Sequence, residues 1–391
     1  MAADDKPYRV YRGGRVKGKV PAVPTKGRAE PAKPAKRKPA TPARTSWLRR
    51  IRWKPLVLLL LLGLVVLMIA WGVVGFLSFQ NGVHDANKRF ASERGAKAAL
   101  TPGNSFLMTH GTTILLLSTD SSTAPGRSGD RHADSIMLVR TDPSHHLLAY
   151  LSIPRDLYVP IPGVGSTKIN ASYQVGGAAL AIKTVADFTG VAINHAVLLD
   201  FNTFKDLIDA EGGITINVPE NILSNRFDCP YATQARCLQW KGWRFHRGTQ
   251  HMNGEQALIY SRIRENQLNP GENDLTRAAR QQAVAQAATS KLTSFSTLAG
   301  LPFNGTSLMK PLATDLSTWQ LIELGWVKFR ASGSHTLYCR LGGDPETVGG
   351  EDVIIPSEDN RATLAMWAGL SAPQPPTSTF GPGCRSGHPL T

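Results

Sequence analysis

The sequence predicts an α/β fold, with helices packed on a central β-sheet and one transmembrane helix ahead of it. Three observations carry this. Between residues 112 and 219, apolar runs of strand length alternate with amphipathic runs of helix length. Residues 56–77 form a run of 22 residues without a single charge. The basic charge lies almost wholly before that run: residues 1–54 hold 17 Lys or Arg against 3 Asp or Glu, a net of +14 in a chain of +15.

The basic tail, 1–54, carries Pro-Ala-Lys repeats over 31–44 and few apolar residues. It has too little to bury, so it is expected to be disordered. It lacks interleaved aromatics, which argues against nucleic acid; anionic lipid headgroups suit it better. The uncharged run spans about 33 Å as a helix, enough for a bilayer core. It has no polar face, as a buried core helix would, and it is longer than the apolar region of a signal peptide. A transmembrane helix over 55–79 follows, with Trp47, Trp53 and Trp71 as interface residues. The positive-inside rule puts the tail in the cytoplasm and the rest outside the cell membrane, as a single-pass protein. Residues 80–105, of mixed charge, are expected to form a short helix or stalk.

All four cysteines follow the membrane run: Cys229, Cys237, Cys339 and Cys384. An even number outside the cytoplasm suggests two disulfides. Cys229 and Cys237, close in a polar loop, are the natural first pair, with Cys339 and Cys384 as the remainder. A zinc site is the alternative, but no His stands at finger spacing around them. Trp240 and Trp243 flank that loop and either stack on a sugar or form local core.

The strands come in order. Thr112–Leu117 is an apolar run ending in Ser118-Thr119-Asp120, followed by a Ser-, Gly- and Pro-rich loop. Ile136–Val139 follows Asp134-Ser135. Asp120 and Asp134 thus flank one loop at two strand ends. Aspartates there either cap turns or hold a hard cation such as magnesium, which takes one or two carboxylates plus phosphate oxygens. Leu147–Leu151 is the next strand, and Pro154 leaves Arg155 at its lip, as a strand-end ion pair or an anion clamp. Leu180, Ile182, Val185 and Phe188 predict a helix stopped at Gly190; 196–199 is a strand, 201–213 a helix, and 214–219 an alternating strand. The apolar stripes of these helices either fill the core or line a lipid pocket.

Five guanidinium groups stand out. Arg262 and Arg264, two apart, share a side if that piece is extended. Arg277, Arg280 and Gln281 fall at i, i+3 and i+4 of a helix over 274–292, hence on one face. Ala278, Ala283 and Ala285 give that helix little bulk, so it is expected to pack closely. With Arg155 and Lys168 these residues form either solvated surface charge or one cationic site. The aspartates in the same motifs point to a polyanion with a metal, of which a diphosphate is the simplest.

The segments ILLLSTD (114–120), HADSIMLV (132–139), SIPRDLYV (152–159), KIN (168–170), DAEGGITINVP (209–219), HMNGEQALIYSRIR (251–264) and DLTRAARQQ (274–282) occur in one order. Together they resemble the LytR-CpsA-Psr family over roughly 112–292. The resemblance implies a mixed central sheet with helices on both faces over 106–370. It implies a transferase that moves a glycopolymer from a polyprenyl-diphosphate carrier onto a peptidoglycan hydroxyl, with arabinogalactan and teichoic acid as candidate polymers. It further implies Mg²⁺ on Asp120 and Asp134, and a diphosphate gripped by Arg155, Lys168, Arg262, Arg264, Arg277, Arg280 and Gln281. Arg155 and the two aspartates are the implied catalytic groups. The chain departs from the family at His132-Ala133-Asp134-Ser135, where Arg-Ser-Asp-Thr is common; either Arg131, one residue earlier, substitutes or that phosphate contact is absent. A non-catalytic regulator that binds anionic polymer and a polyprenyl-pyrophosphatase are the alternatives. Residues 293–370 are expected to cover the sheet, with helices at 317–329 and 362–370, and 371–391 is expected to be a flexible tail.

Overall fold

The computed structural model describes residues 53–121, 131–225, 229–231, 233–263, 265–269, 274–331, 333–378 and 381–387. The expected disordered tail therefore lies almost entirely outside the described residues. The chain divides into two units, Met1–Leu59 and Leu60–Thr391. Of the first, only the start of α1 (Trp53–Ser92) is described.

The second unit holds the rest. In chain order it contains β1 (Thr113–Ser121), β2 (Arg131–Asp142), β3 (Leu147–Ile153), β4 (Tyr158–Ile161) and β5 (Gly165–Lys168). Then come α2 (Ala171–Thr189), β6 (His195–Asp200), α3 (Phe201–Ala210), β7 (Ile214–Val218), β8 (Ile222–Leu223), α4 (Gln234–Gln239), β9 (Arg244–Phe245) and β10 (Gly248–Met252). Next are α5 (Gly254–Arg262), α6 (Asp274–Leu292), α7 (Phe295–Leu308), β11 (Leu312–Thr314) and α8 (Thr318–Arg330). The chain closes with β12 (Thr336–Arg340), β13 (Gly343–Val348), β14 (Glu351–Pro356), α9 (Asn360–Trp367) and β15 (Gly383–Ser386).

Seven strands make the central sheet, in the order β11-β6-β1-β2-β3-β12-β15. It is mixed: β1 is parallel to β6 and β3 to β12, while the other neighbours are antiparallel. Helices cover both faces. Leu115, Leu117, Leu138 and Leu151 pack under Ile182 and Val185 of α2 and Trp367 of α9. On the other face Val139, Tyr150 and Tyr338 pack under Val327 of α8. A second core joins α3, α5 and α6 to the ribbon β7–β10, through Phe204, Ile216, Tyr260 and Val284.

The expected alternating strand at 214–219 forms as β7 and pairs with β10 in a ribbon apart from the central sheet, with one face covered. Three expectations are corrected. The stalk is not separate: α1 runs unbroken to Ser92 and buries Val83, Ala86 and Phe90, one helical stripe. Helix α2 starts at Ala171, kinks at Gly176-Gly177, and ends as expected at Gly190, whose φ of 67° only glycine adopts freely. The expected flexible tail, 371–391, folds back: β15 pairs with β12, and Cys384 is bonded to Cys339. Cys229 and Cys237 are also joined, so the zinc alternative is gone.

Candidate functional site

Because β2 is antiparallel to both neighbours, the carboxyl ends of β1, β3, β6 and β12 meet at one edge of the sheet. That edge is where open α/β sheets bind ligands. Asp120 lies there in β1, paired with His132. The ladder shifts between Ser118 and Thr119, which pair with Ser135 and Ala133, leaving Asp134 as the extra residue of a bulge. The two aspartates therefore occupy neighbouring strands at the lip. Their side chains, and those of Arg131 and His132, lie outside the described residues, as do Arg264 and the Asp274 side chain.

Arg155 follows β3 directly. Its turn is pinned by backbone bonds from Leu157 to Pro154, Asn170 to Arg155 and Ile354 to the Asp156 carbonyl, at 2.9–3.2 Å. The side chain sits beside Asp156, Nε to Oδ2 at 3.2 Å. Lys168 reaches the other oxygen of Asp156 at 3.7 Å and Glu351 at 3.8 Å. One aspartate thus holds two predicted anion-binding cations together, both mostly shielded from solvent.

Helix α6 spans the predicted 274–292. Its arginines are not solvated surface charges: Arg277 is 6 % exposed and Arg280 4 %. Arg280 donates to the carbonyl of Ile263, just past the end of α5. Arg262 is the last residue of α5 rather than part of an extended piece, and Arg264 lies outside the described residues. What ties α6 to the sheet is Gln282, a residue the sequence reading passed over. Buried at 2 % exposure, its Nε2 donates to Ser152 Oγ at 2.7 Å and to the Cys339 carbonyl at 3.2 Å. Ser152 is three residues before Arg155, no more than about 10 Å along the chain. The bond brings Arg280 and Gln281 to the same edge of the sheet as Arg155. A glutamine beside an arginine stripe gives no signal of this in sequence.

Of the alanines expected to pack closely, Ala283 packs against the second core and also lines, with Ala279 and Ala287, a cavity of about 790 Å³ between α6 and the ribbon, walled by Ile216, Ile222 and Tyr260. The Ala278 side chain lies outside the described residues. Arg280 stands at one end of the cavity and Lys291 and Ser294 at the other, with Lys291 about 17 Å along the helix from Arg280.

Other polar groups at the lip have structural partners. Asp200, at the end of β6 and level with Thr119, accepts from the Thr203 N–H at 3.0 Å and so caps α3. Arg340, buried at the end of β12, donates to the carbonyls of Gly381 and Ser378, anchoring the C-terminal segment. Burial, helped by nearby Arg385, lowers its pKa to about 10. The fold also makes a His–Asp pair that the sequence did not reveal: His195 Nδ1 and Asp315 lie 2.6 Å apart. It sits at the amino end of β6, opposite the lip, and joins β6 to the segment after β11. Trp240 and Trp243 meet edge-on at 5.7 Å, and Trp243 packs on the second core.

Residues 73–359 match the LytR_cpsA_psr family model. The chain belongs to the LytR_cpsA_psr family. The match is wider than the motif-bearing stretch and takes in α7 and α8, which the sequence alone left without kin. Among LytR_cpsA_psr relatives, the Bacillus mycoides polyisoprenyl-teichoic acid–peptidoglycan teichoic acid transferase TagU is 30% identical over 280 residues, covering 69% of this chain and 83% of that protein. TagV of Bacillus subtilis, another such transferase, is 31% identical over 245 residues, covering 62% of this chain and 59% of its own length. The crystal structure of B. subtilis TagV superposes with a TM-score of 0.53 at 26% identity, covering 67% of this chain and 99% of that one. The structure of TagT bound to LIIa-WTA gives 0.51 at 25% identity, covering 67% and 92%.

Proposed function

We propose that this protein transfers a glycopolymer from a polyprenyl-diphosphate carrier to a peptidoglycan hydroxyl, on the outer side of the membrane. The observation that carries the reading is the α6 cavity with a buried guanidinium at its head. A guanidinium lining the head of a cavity suits a phosphate, which its planar fork can bind through paired hydrogen bonds, and an apolar channel behind it suits a lipid tail. The TagU and TagV relatives, named as teichoic acid–peptidoglycan transferases, support the same class.

In this reading Arg277, Arg280 and Gln281 on α6 grip the diphosphate from one side, and Arg155 with Lys168 from the other. Arg262 and Arg264 complete the cationic wall. A peptidoglycan hydroxyl oxygen attacks the phosphorus that carries the polymer. The bond from that phosphorus to the bridging oxygen breaks, and the lipid leaves as a monophosphate. The hydroxyl proton passes to an aspartate at the lip. Fixed guanidinium groups stabilise charge that develops on the bridging oxygen, and phosphoryl transfer needs such positioning more than covalent help. Two aspartates on neighbouring strands beside this cradle are a donor set that suits magnesium. Asp120 and Asp134 would hold Mg²⁺, which neutralises phosphate charge when bound. Helix α1 is long and apolar enough to cross a membrane, with a mean hydropathy of 3.0 in its apolar window. It would keep the domain beside its lipid substrate, with the basic tail in the cytoplasm.

The test uses full-length protein in vesicles, a polyprenyl-diphosphate-linked polymer, Mg²⁺ and peptidoglycan. Wild type is expected to build the phosphodiester only when acceptor is present, and Arg155→Ala to lose transfer while still binding polymer. Polymer release at the same rate without acceptor would mean hydrolysis instead, and binding without turnover in wild type would mean a regulator.

A further inference from the structure

Helices α7 and α8 carry a second surface, which the site does not use. On α7, Phe295 is 86 % exposed and Phe303 80 %. On α8, Trp319, Ile322, Trp326 and Phe329 are all exposed, Phe329 at 78 %. Their spacings of three, four and three place them in one stripe. The covered face of α8 instead holds Val327 and a carboxylate, Glu323, which accepts from the Leu107 N–H at 2.7 Å. An amphipathic helix packed in a water-soluble domain turns its large apolar residues inward. This one turns four of them out, next to more on α7. Contiguous apolar surface of that kind marks a binding face.

Both helices stand against the outer end of the charge-free run in α1. Trp71 Nε1 donates to the Ala299 carbonyl at 2.9 Å, and its ring meets Phe303 edge-on at 5.3 Å. Gly75 abuts Pro302, and Gly82 abuts the backbone of Thr306, where a side chain would not fit. So α7 runs alongside α1 in the same direction, with 301–302 beside 75 and 305–306 beside 78–82. Phe76 lies 5.5 Å from Trp319, at the head of the α8 stripe. The apolar run 56–77 ends at Leu77, so Trp71 stands about 9 Å inside it. The Phe303 ring, in contact with Trp71, shares that depth.

We propose that α7 and the outward stripe of α8 are embedded in the outer leaflet of the bilayer, as an interfacial foot beside the transmembrane helix. The inference rests on the reading that α1 spans the membrane. The occupant is lipid because the surface continues the apolar face of α1 without a break. Tryptophan and phenylalanine flanking a span are the side chains that favour the interfacial zone. The foot also orients the cavity. Lys291 and Ser294, at its far end, immediately precede α7. That end of the cavity therefore lies on the side of the foot, and the Arg280 end lies away from it.

The test uses the full-length chain, one copy per lipid nanodisc, with single cysteines introduced by Phe303→Cys and Phe329→Cys and labelled with an environment-sensitive fluorophore. The four native cysteines are paired and do not compete. Val66→Cys, inside the apolar run, and Leu370→Cys, an exposed apolar position away from α1, are the references. Labels at 303 and 329 are expected to be quenched by doxyl-labelled lipid and to lose quenching by aqueous iodide, as at 66. Iodide quenching at 303 or 329 equal to that at 370, with 66 still shielded, would overturn the foot at that helix. Iodide quenching at 66 as well would overturn the spanning reading, and the foot with it. One copy per disc excludes a second chain as the cover.

Discussion

Replacing Gln282 with leucine removes the bond between α6 and the sheet while keeping the side chain's size. The change strips hydrogen bonds from Ser152 Oγ and the Cys339 carbonyl, 4 % and 0 % exposed at the residue level. Each buried group left dry costs about 1–3 kcal/mol. Against this, Gln282 Oε1 is itself buried without a hydrogen-bond partner. Removing it recovers about 1–2 kcal/mol. Two such groups cost about 2–6 kcal/mol, so the net loss is about 1–4 kcal/mol, which at about 2 °C per kcal/mol for a domain of this size lowers Tm by roughly 2–8 °C. The functional loss should be larger than the stability loss. Arg280 and Gln281 adjoin the severed bond, and a misplacement of about 1 Å in a positioning group can cost about 100-fold in rate. Thermal unfolding and single-turnover transfer on the same preparation measure both. A Tm and a transfer rate both equal to wild type would refute the anchoring role of Gln282. A lower Tm with wild-type turnover would show that α6 does not position the substrate.

Three further outcomes follow from the same geometry. Ala283→Phe fills the α6 cavity and should abolish transfer from a long polyprenyl carrier while sparing a short-tailed one; equal loss on both would detach the cavity from the lipid. Chelation of Mg²⁺, or Asp134→Asn, should reduce transfer at least 10-fold without changing thermal stability by more than about 1 kcal/mol; full activity in chelator would remove the metal from the scheme. Burial pushes the Tyr150 hydroxyl up to about 12. The unfolded group ionises near 10, so its contribution is whole below about pH 10 and is lost as pH rises towards 12, by about 3 kcal/mol. Urea unfolding at pH 9 and 11 should show this decline together with that of the stacked Tyr338 hydroxyl, which burial also pushes up, and Tyr150→Phe should reduce it by about half.

What the sequence made legible is what one short stretch can encode. The run of leucines at 115–117 and the alternation of 214–218 name strands, and Gly190 names a helix end. The spacing of Arg277, Arg280 and Gln281 names a face. It does not say whether that face looks inward; that depends on Gln282 finding Ser152, 130 residues away. The same limit hid the sheet to which β7 belongs, since a half-buried strand satisfies one covering as well as another. The stripe Val83, Ala86 and Phe90 was readable as a helix face, but mixed charge around it masked the pattern. The return of the C-terminal segment was signalled only by Cys384, whose partner lies 45 residues earlier. Ala283 of α6 was expected only to pack closely, yet it also borders the cavity, because a small side chain marks either contact or space.

The account turns on a lipid tail lying along α6 while its diphosphate meets arginines from separate parts of the chain. A polyprenyl diphosphate with a photoactivatable group in its tail, bound to the full-length protein in membranes and irradiated, reports this directly. Adducts confined to peptides bearing Ala283, Ala287 or Ile216, and lost on addition of unlabelled carrier, are the expected result. Competable adducts that fall elsewhere, with those residues unlabelled, would contradict it.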